Sequence, residues 1–259
     1  MPPMGSLADH ARRTRALAQA LADHAPPPGA PFACPYLPGR LARNVAFGIA
    51  PCPPGLYHSL MDLNFRRMGP VFYRPACPSC AECRALRVSA AEFTPSRAQK
   101  RCLARNADLE VRVGRPEKDA ERLALYRRYL EARHDGQMDG SASEFETFLG
   151  RSPLETIEVA FRLGERLVAV GVADVEPLAL SAVYCYFDPD LGPRSLGALN
   201  ILTLIREARG LGKPYVYLGY YIRGRASMSY KAAYRPCETL EADLGWRSLS
   251  GPREGGAGR

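Results

Sequence analysis

Histidine is scarce in this chain, tryptophan occurs once, and long apolar runs are missing. The four histidines are His10, His24, His58 and His134, and none follows over the remaining 125 or so residues. The chain beyond His134 therefore lacks the Ser-His-Asp or Cys-His sets that activate a nucleophile. No stretch approaches the ~18 apolar residues that a membrane span needs. Arg12, Arg13 and Arg15 precede an Ala/Leu-rich stretch, but Gln19 and Asp23 interrupt it. It reads as an amphipathic helix on a Pro-rich tether, not as a secretory leader. The expected compartment is the cytoplasm, and disulfides are disfavoured there. No internal repeat is visible.

What is present is unevenly distributed. The net charge is +8, but residues 1–130 hold 20 Lys/Arg against 10 Asp/Glu, and residues 131–259 hold 15 against 17. The excess of cations in the first half suits nucleic acid, acidic peptides or an anionic surface. Eight cysteines occur, three as Cys77-x-x-Cys80-x-x-Cys83. With Cys34 they could supply four thiolates to a metal, or they are free thiols packed in a loop-rich lobe.

Apolar spacing predicts strands over Asn44–Ile49, Val71–Arg74, Arg84–Val88 and Leu109–Val113, with helices over Leu56–Asn64 and Asp119–Arg133. Thr94 and Pro95 mark a helix start, and Asn106 marks its end. Arg97, Lys100, Arg101 and Arg105 lie on one face of that helix as a basic stripe, read either as a solvated face or as a contact for RNA phosphates. Ser143 and Glu146 predict a capping box for a short helix over Glu144–Leu149. Three strands follow, Thr156–Leu163, Arg166–Val175 and Leu178–Phe187, joined by tight turns.

The stretch Ser181–Tyr221 organises the rest. A strand ends at Phe187, the turn Asp188–Pro193 follows, and Arg194-Ser195-Leu196-Gly197-Ala198 opens a helix from Leu199 to about Arg209. A second aromatic strand begins at Tyr215. Amides at a helix start form an electropositive cradle for an anion or a developing oxyanion. The meander, the RxxGxA loop, the helix and the returning strand resemble the GNAT acyltransferase fold, whose corresponding loop binds the pyrophosphate of coenzyme A. The fold class expected is therefore α+β, GNAT-like, with a basic cysteine-containing lobe in front. The divisions expected are a flexible segment over 1–30, the basic lobe over 31–115, the acyltransferase domain over 116–249 and a flexible tail over 250–259.

A longer ordered set of motifs is more specific. Cys34-Pro-Tyr36-Leu37-Pro-Gly-Arg40, Asn64-Phe65-Arg66-Arg67-x-Gly69, Tyr73-Arg74-Pro75-x-Cys77, Cys80-x-x-Cys83-x-x-Leu86-Arg87 and Arg105-Asn106-x-Asp108-Leu109 occupy the first half. Tyr126-x-x-Tyr129, Arg133-His134-x-Gly136-x-Met138, Ser181-Ala182-Val183-Tyr184, Phe187-Asp188-Pro189, Arg194-Ser195-Leu196-Gly197, Tyr215–Tyr220 and Met228-x-Tyr230-Lys231 continue the series. From Cys34 to Trp246 the chain resembles the arginyl-tRNA–protein transferase family, and most closely its bacterial leucyltransferase branch. The resemblance implies transfer of leucine, or alternatively arginine, from aminoacyl-tRNA to proteins with N-terminal Asp or Glu, which are then degraded. Eukaryotic members carry a second cysteine where this chain has Leu37, at a place associated with an iron–sulfur cluster; Cys34, Cys77, Cys80 and Cys83 could still supply four thiolates to a metal or such a cluster here. No cofactor is required for the transfer itself.

The reaction sets the residues sought. An α-amine has a reference pKa of about 7.7–8.0 and is partly neutral at pH 7, so positioning and oxyanion stabilisation matter more than a strong base. Asp188, at a strand end, is the expected acceptor for the amine or else the residue of a simple Asx-Pro turn, and Lys231 is the expected group for the acceptor end of the tRNA or the leaving oxygen. His134 is the one histidine placed to be catalytic, and it reads more readily as a helix-end residue. Arg66, Arg74 and Arg87 are the expected readers of the acidic side chain, because a guanidinium binds a carboxylate bidentately, with a phosphate contact or a surface ion pair as the alternative for each. Arg194, Ser195, Gly197, Tyr217, Tyr220, Tyr221, Arg97 and Arg101 are expected to hold the tRNA through phosphate contacts and stacking. The tyrosines fit a core sheet face equally well. Two other readings remain open at this point: an acetyl-CoA-dependent N-acetyltransferase and a non-catalytic metal-containing RNA-binding module.

Overall fold

A computed structural model of the protein describes residues 7–133 and 140–249. The expected tail over 250–259 and His134, Gly136 and Met138 lie outside the described residues. In chain order the elements are α1 (Leu7–Asp23), β1 (Phe32–Ala33), β2 (Leu41–Ala42), β3 (Asn44–Gly48), α2 (Leu56–Met61), β4 (Arg66–Met68), β5 (Val71–Pro75) and β6 (Arg84–Ser89). They continue as α3 (Arg97–Arg105), β7 (Glu110–Gly114), α4 (Ala120–Arg133), α5 (Ala142–Phe145), β8 (Thr156–Leu163), β9 (Arg166–Glu176) and β10 (Ala179–Phe187). Last come α6 (Leu196–Gly210), β11 (Tyr215–Tyr221), α7 (Ala226–Ser229), β12 (Cys237–Leu240) and β13 (Trp246–Ser248).

Eight strands form one mixed sheet in the order β13-β12-β6-β11-β10-β9-β8-β7. Within it only β10 and β11 run parallel. A parallel pair needs a crossover, and α6 supplies it. β9 is buried along nearly its whole length because helices cover both faces of the sheet there. Val170 and Val172 pack with Leu125, Tyr126 and Leu130 of α4, while Val168 and Ala173 pack with Leu199, Leu202 and Ile205 of α6. Each large side chain so buried contributes about 1.5–3 kcal/mol. A smaller sheet, β3-β5-β4, packs with α1 and α2 around Leu56, Leu60, Phe65 and Phe72.

Several expectations need correction. Residues 1–30 are not free throughout: α1 buries Ala18 and Ala22 against the α2 cluster, and His10 Nε2 lies 2.8 Å from Pro54 O. The division at 115/116 does not separate two bodies, because β6 and β7 belong to the same sheet as β8–β12. Ser96, not Thr94, caps α3, because Ser96 and Gln99 form a reciprocal capping box that Thr94 cannot. The same competition moves the next helix start. Ser141 Oγ accepts from Glu144 N–H at 3.0 Å, and the Glu144 carboxylate accepts from Gly140 N–H at 2.8 Å. Among the described residues no helix is long and apolar enough to cross a membrane.

Candidate functional site

The parallel pair β10/β11 is in register only over Ala179–Ser181 and Tyr215–Tyr217. A bulge then shifts β10 between Ala182 and Tyr184, and another shifts β11 between Tyr217 and Gly219. Beyond those bulges the two strands no longer pair. A gap in mid-sheet leaves backbone polar groups in need of partners. It also lies toward the carboxyl ends of parallel strands, where open sheets hold ligands.

Arg66 fills the root of that gap. Its Nη2 donates to Ala182 O at 2.6 Å and its Nη1 to Ser181 Oγ at 3.0 Å. Gly219 makes the approach possible: it has a φ of 81°, and a Cβ there would meet the guanidinium at 3.3–3.5 Å. Arg66 is buried, yet among the described residues no carboxylate pairs with it. Arg67, one residue on, differs. Its Nε and Nη2 donate to both oxygens of buried Asp174 at 2.8 and 2.7 Å, and its Nη1 donates to Gly69 O at 2.7 Å.

Lys231 lies beside the same gap. Its Nζ donates to Tyr220 O at 2.5 Å and stands 3.7 Å from Met228 Sδ. Burial, with the nearby Arg66 charge adding to it, pulls the ammonium down to about 7. A lysine so placed is partly neutral at physiological pH and can take up a proton there.

Next to the gap is a cavity of about 620 Å³. Tyr73, Arg74, Asn64 and Tyr220 line it, as do Cys34, Cys77, Cys80 and Cys83. Arg74 rests over the Phe65 ring at 4.8 Å, and among the described residues it has no carboxylate partner. Arg40 lines the same cavity, and among the described residues it has no carboxylate partner either. Arg84 does have one, Glu241. Burial, and then Cys34, Cys77 and Cys80 nearby, push the Cys83 thiol up to about 12. Leu37 N–H points at Cys34 Sγ at 3.4 Å. Among the described residues no three His, Cys, Asp or Glu side chains converge closely enough to hold a metal ion. The four thiols surround a shared space but do not form a closed coordination shell.

Other expected residues stand elsewhere. Arg87 is stacked between the Tyr215 and Trp246 rings at 3.9 and 4.1 Å and pairs with Glu238 at 2.8 Å. Its charge is already matched, and it is not brought together with Arg66 and Arg74. Asp188 is fully buried and caps the turn after β10 by accepting from Asp190 N–H at 3.1 Å. Arg128 at 3.0 Å and Arg166 neutralise it, so it is not open to an incoming amine. Tyr217 and Tyr221 are core residues, and Tyr217 donates to Asp62 at 3.1 Å. Tyr220 donates to Asn64 O at 3.0 Å and is buried beside the cavity that it lines. None of the three forms an open stacking platform.

The basic stripe and the helix start do come together. Asn106 Nδ2 donates to Arg194 O at 2.9 Å, and Cys102 Sγ lies 3.7 Å from Ser195 O. Arg97, Lys100 and Arg101 lie on the helix beside that junction, all three exposed. Arg194 itself is held by Asp108 in a bidentate pair at 2.8 and 2.9 Å. Ser195 takes a left-handed conformation, φ 55°, to start α6, and Gly197 follows in its first turn against Phe187.

Sequence reasoning missed Arg40 as a cavity cation and Asp62 as the hinge of a network with Tyr217 and Trp246, whose Nε1 donates to it at 2.9 Å. The Pro-Gly-Arg40 ending of the Cys34 loop was the available signal for the first. Nothing in the spacing pointed to the second, since its partners lie far away in sequence.

Comparison with known proteins places this chain in a family. The family model described as arginine-tRNA-protein transferase, N terminus, matches residues 32–101, and the one for its C terminus matches residues 121–241. The chain belongs to the arginine-tRNA-protein transferase family. It is 46% identical over 223 residues to an aspartate/glutamate leucyltransferase of Pseudomonas aeruginosa, covering 85% of this chain and 94% of that one. With the aspartate/glutamate leucyltransferase of Gluconacetobacter diazotrophicus it shares 41% over 215 residues, covering 82% and 83%. Among solved structures, FemX matches at 9% identity and a TM-score of 0.44, over 66% of this chain and 60% of that one.

Proposed function

We propose that the protein transfers leucine from leucyl-tRNA to the α-amine of polypeptides that begin with Asp or Glu, marking them for degradation in the cytoplasm. It is an aminoacyltransferase by family. The observation that carries the acceptor reading is a cavity beside the β10/β11 gap with Arg74 and Arg40 on its wall and, among the described residues, no carboxylate on either. A guanidinium in that state suits an incoming carboxylate side chain. The gap itself, with bulges on both strands and α6 crossing between them, supports a GNAT-like reading of the fold.

In this reaction Arg74 binds the acidic side chain and the α-amine is directed toward the gap. The amine nitrogen forms a bond to the leucyl carbonyl carbon, and the carbon–oxygen bond to the ribose breaks. The proton lost from nitrogen passes to neutral Lys231, and the Lys231 ammonium so formed returns it to the leaving ribose oxygen. Arg66 is fixed at the root of the gap, where negative charge develops on the carbonyl oxygen. A preset cation at that point costs no reorganisation during the reaction. Its charge also helps to keep Lys231 near neutrality. Arg97, Arg101, Arg194, Ser195 and Gly197 provide the tRNA-facing surface.

The test uses labelled leucyl-tRNA with peptides that begin with Asp, Glu, Ala or Lys. Label is expected in the Asp and Glu peptides alone. Labelling only from arginyl-tRNA, or acetylation from acetyl-CoA, would replace this reading.

A further inference from the structure

The acceptor reading accounts for the cations on the cavity wall but not for the side chains at its mouth. Four large apolar residues that line the cavity are exposed: Leu41 at 59%, Met68 at 56%, Leu244 at 45% and Phe32 at 42%. They come from β2, β4, the turn between β12 and β13, and β1. Single exposed apolar residues are ordinary on a protein surface, but four around one opening form a patch.

Leu244 adds an independent observation. Its φ is 59°, a left-handed backbone that glycine adopts freely and leucine does not. The turn that holds it is closed by Leu244 N–H donating to Glu241 O at 3.0 Å and Glu241 N–H donating to Gly245 O at 2.9 Å. The chain thus holds a strained leucine against water at the lip of a cavity, a combination typical of a contact surface.

The charge on the same wall selects the occupant. A small anion would engage Arg40 and Arg74 and leave the patch bare. An uncharged apolar ligand would do the reverse. A polypeptide whose first residue is acidic and whose next residues are apolar engages both. We propose that Phe32, Leu41, Met68 and Leu244 form a subsite for an apolar side chain at the second or third position of the acceptor polypeptide. This rests on the acceptor reading given above and extends it from one residue to a short sequence.

Initial rates of leucyl transfer to Asp-initiated peptides, varied in turn at positions two and three, test the subsite at saturating leucyl-tRNA. KM is expected to be at least about tenfold lower with Leu or Phe than with Lys or Glu at one of those positions, with kcat unchanged. The double substitution Leu41→Ser, Met68→Ser is expected to shrink that preference to within about twofold at an unchanged melting temperature, since both side chains are already exposed. A flat KM across the panel with transfer intact would overturn the subsite and leave the acceptor reading standing. Absence of transfer to every Asp- and Glu-initiated peptide would remove both.

Discussion

Arg66 and Arg67 are neighbours on β4, both are buried, and their surroundings are opposite in kind. Arg67 meets Asp174 in a bidentate pair with both side chains sealed from water. Arg66 meets a hydroxyl and a carbonyl, and among the described residues no carboxylate. Adjacent residues of a strand point to opposite faces, so one sequence step separates a structural charge from one set beside a gap in the sheet. Burial alone does not distinguish the two; the presence or absence of a counter-ion does. An unmatched buried charge is costly, and the fold retains one beside the β10/β11 gap.

The largest effect expected from this contrast is on stability. Arg67→Met leaves Asp174 buried without its counter-ion, with the Thr156 hydroxyl alone still donating to it at 3.0 Å among the described residues, which costs about 3–5 kcal/mol. For a chain of this size that lowers Tm by roughly 10 °C, readable by calorimetry. Replacing Arg67 and Asp174 together by apolar residues should recover most of that stability. If the single substitution melts like the wild type, the pair is not the anchor it looks to be.

Lys231→Met comes next. Loss of a positioned proton carrier is expected to lower kcat by about 100-fold. The pH profile gives the sharper reading. Lys231 is pulled down to about 7, so its neutral form grows as pH rises through 7, and kcat should rise with it. The variant should lose that inflection and retain only the one from the acceptor amine near about 8. An unchanged profile would remove Lys231 from the reaction.

Arg74→Ala tests the cavity wall. A hydrogen bond to a charged group is worth about 1.5–3 kcal/mol, so KM for an Asp peptide should rise by roughly 10- to 100-fold while tRNA binding holds. Equal weakening of both would mean that Arg74 does not read the acceptor. The smallest effect concerns α3. Changing Arg97 and Arg101 to Ala should lower the slope of log affinity for tRNA against log salt by about 0.7–0.9 for each phosphate that the helix no longer neutralises. A slope equal to that of the wild type would return the stripe to a solvated face.

Local features of this fold are legible in the sequence because local physics sets them. The meander of β8, β9 and β10 follows from alternation and turn residues, and β8 begins and ends where the pattern predicts. The start of α3 is legible only to within two residues, because Thr94 and Ser96 are both good caps and the partner Gln99 alone decides between them. The docking of α1 is not legible, since its apolar stripe becomes significant only when α2 is in place. The site divides in the same way. Arg66, Arg74 and Lys231 are visible as cations in motifs, and the structure gathers them around one gap and cavity. The matched charges of Arg87 and Asp188 are not visible, because Glu238, Arg128 and Arg166 reach them across the tertiary fold. A sequence displays a charge but not its counter-ion.

The contrast between the two arginines is tested most directly by comparing Arg66→Gln with Arg67→Gln in single-turnover transfer from leucyl-tRNA to an Asp-initiated peptide, each variant melted alongside. Arg66→Gln is predicted to keep the wild-type Tm within a few degrees and to lose transfer by about 100-fold or more. Arg67→Gln is predicted to lower Tm and, below its own melting temperature, to keep most of its transfer. An Arg66→Gln protein that melts early, or that transfers leucine at the wild-type rate, would contradict the distinction between them.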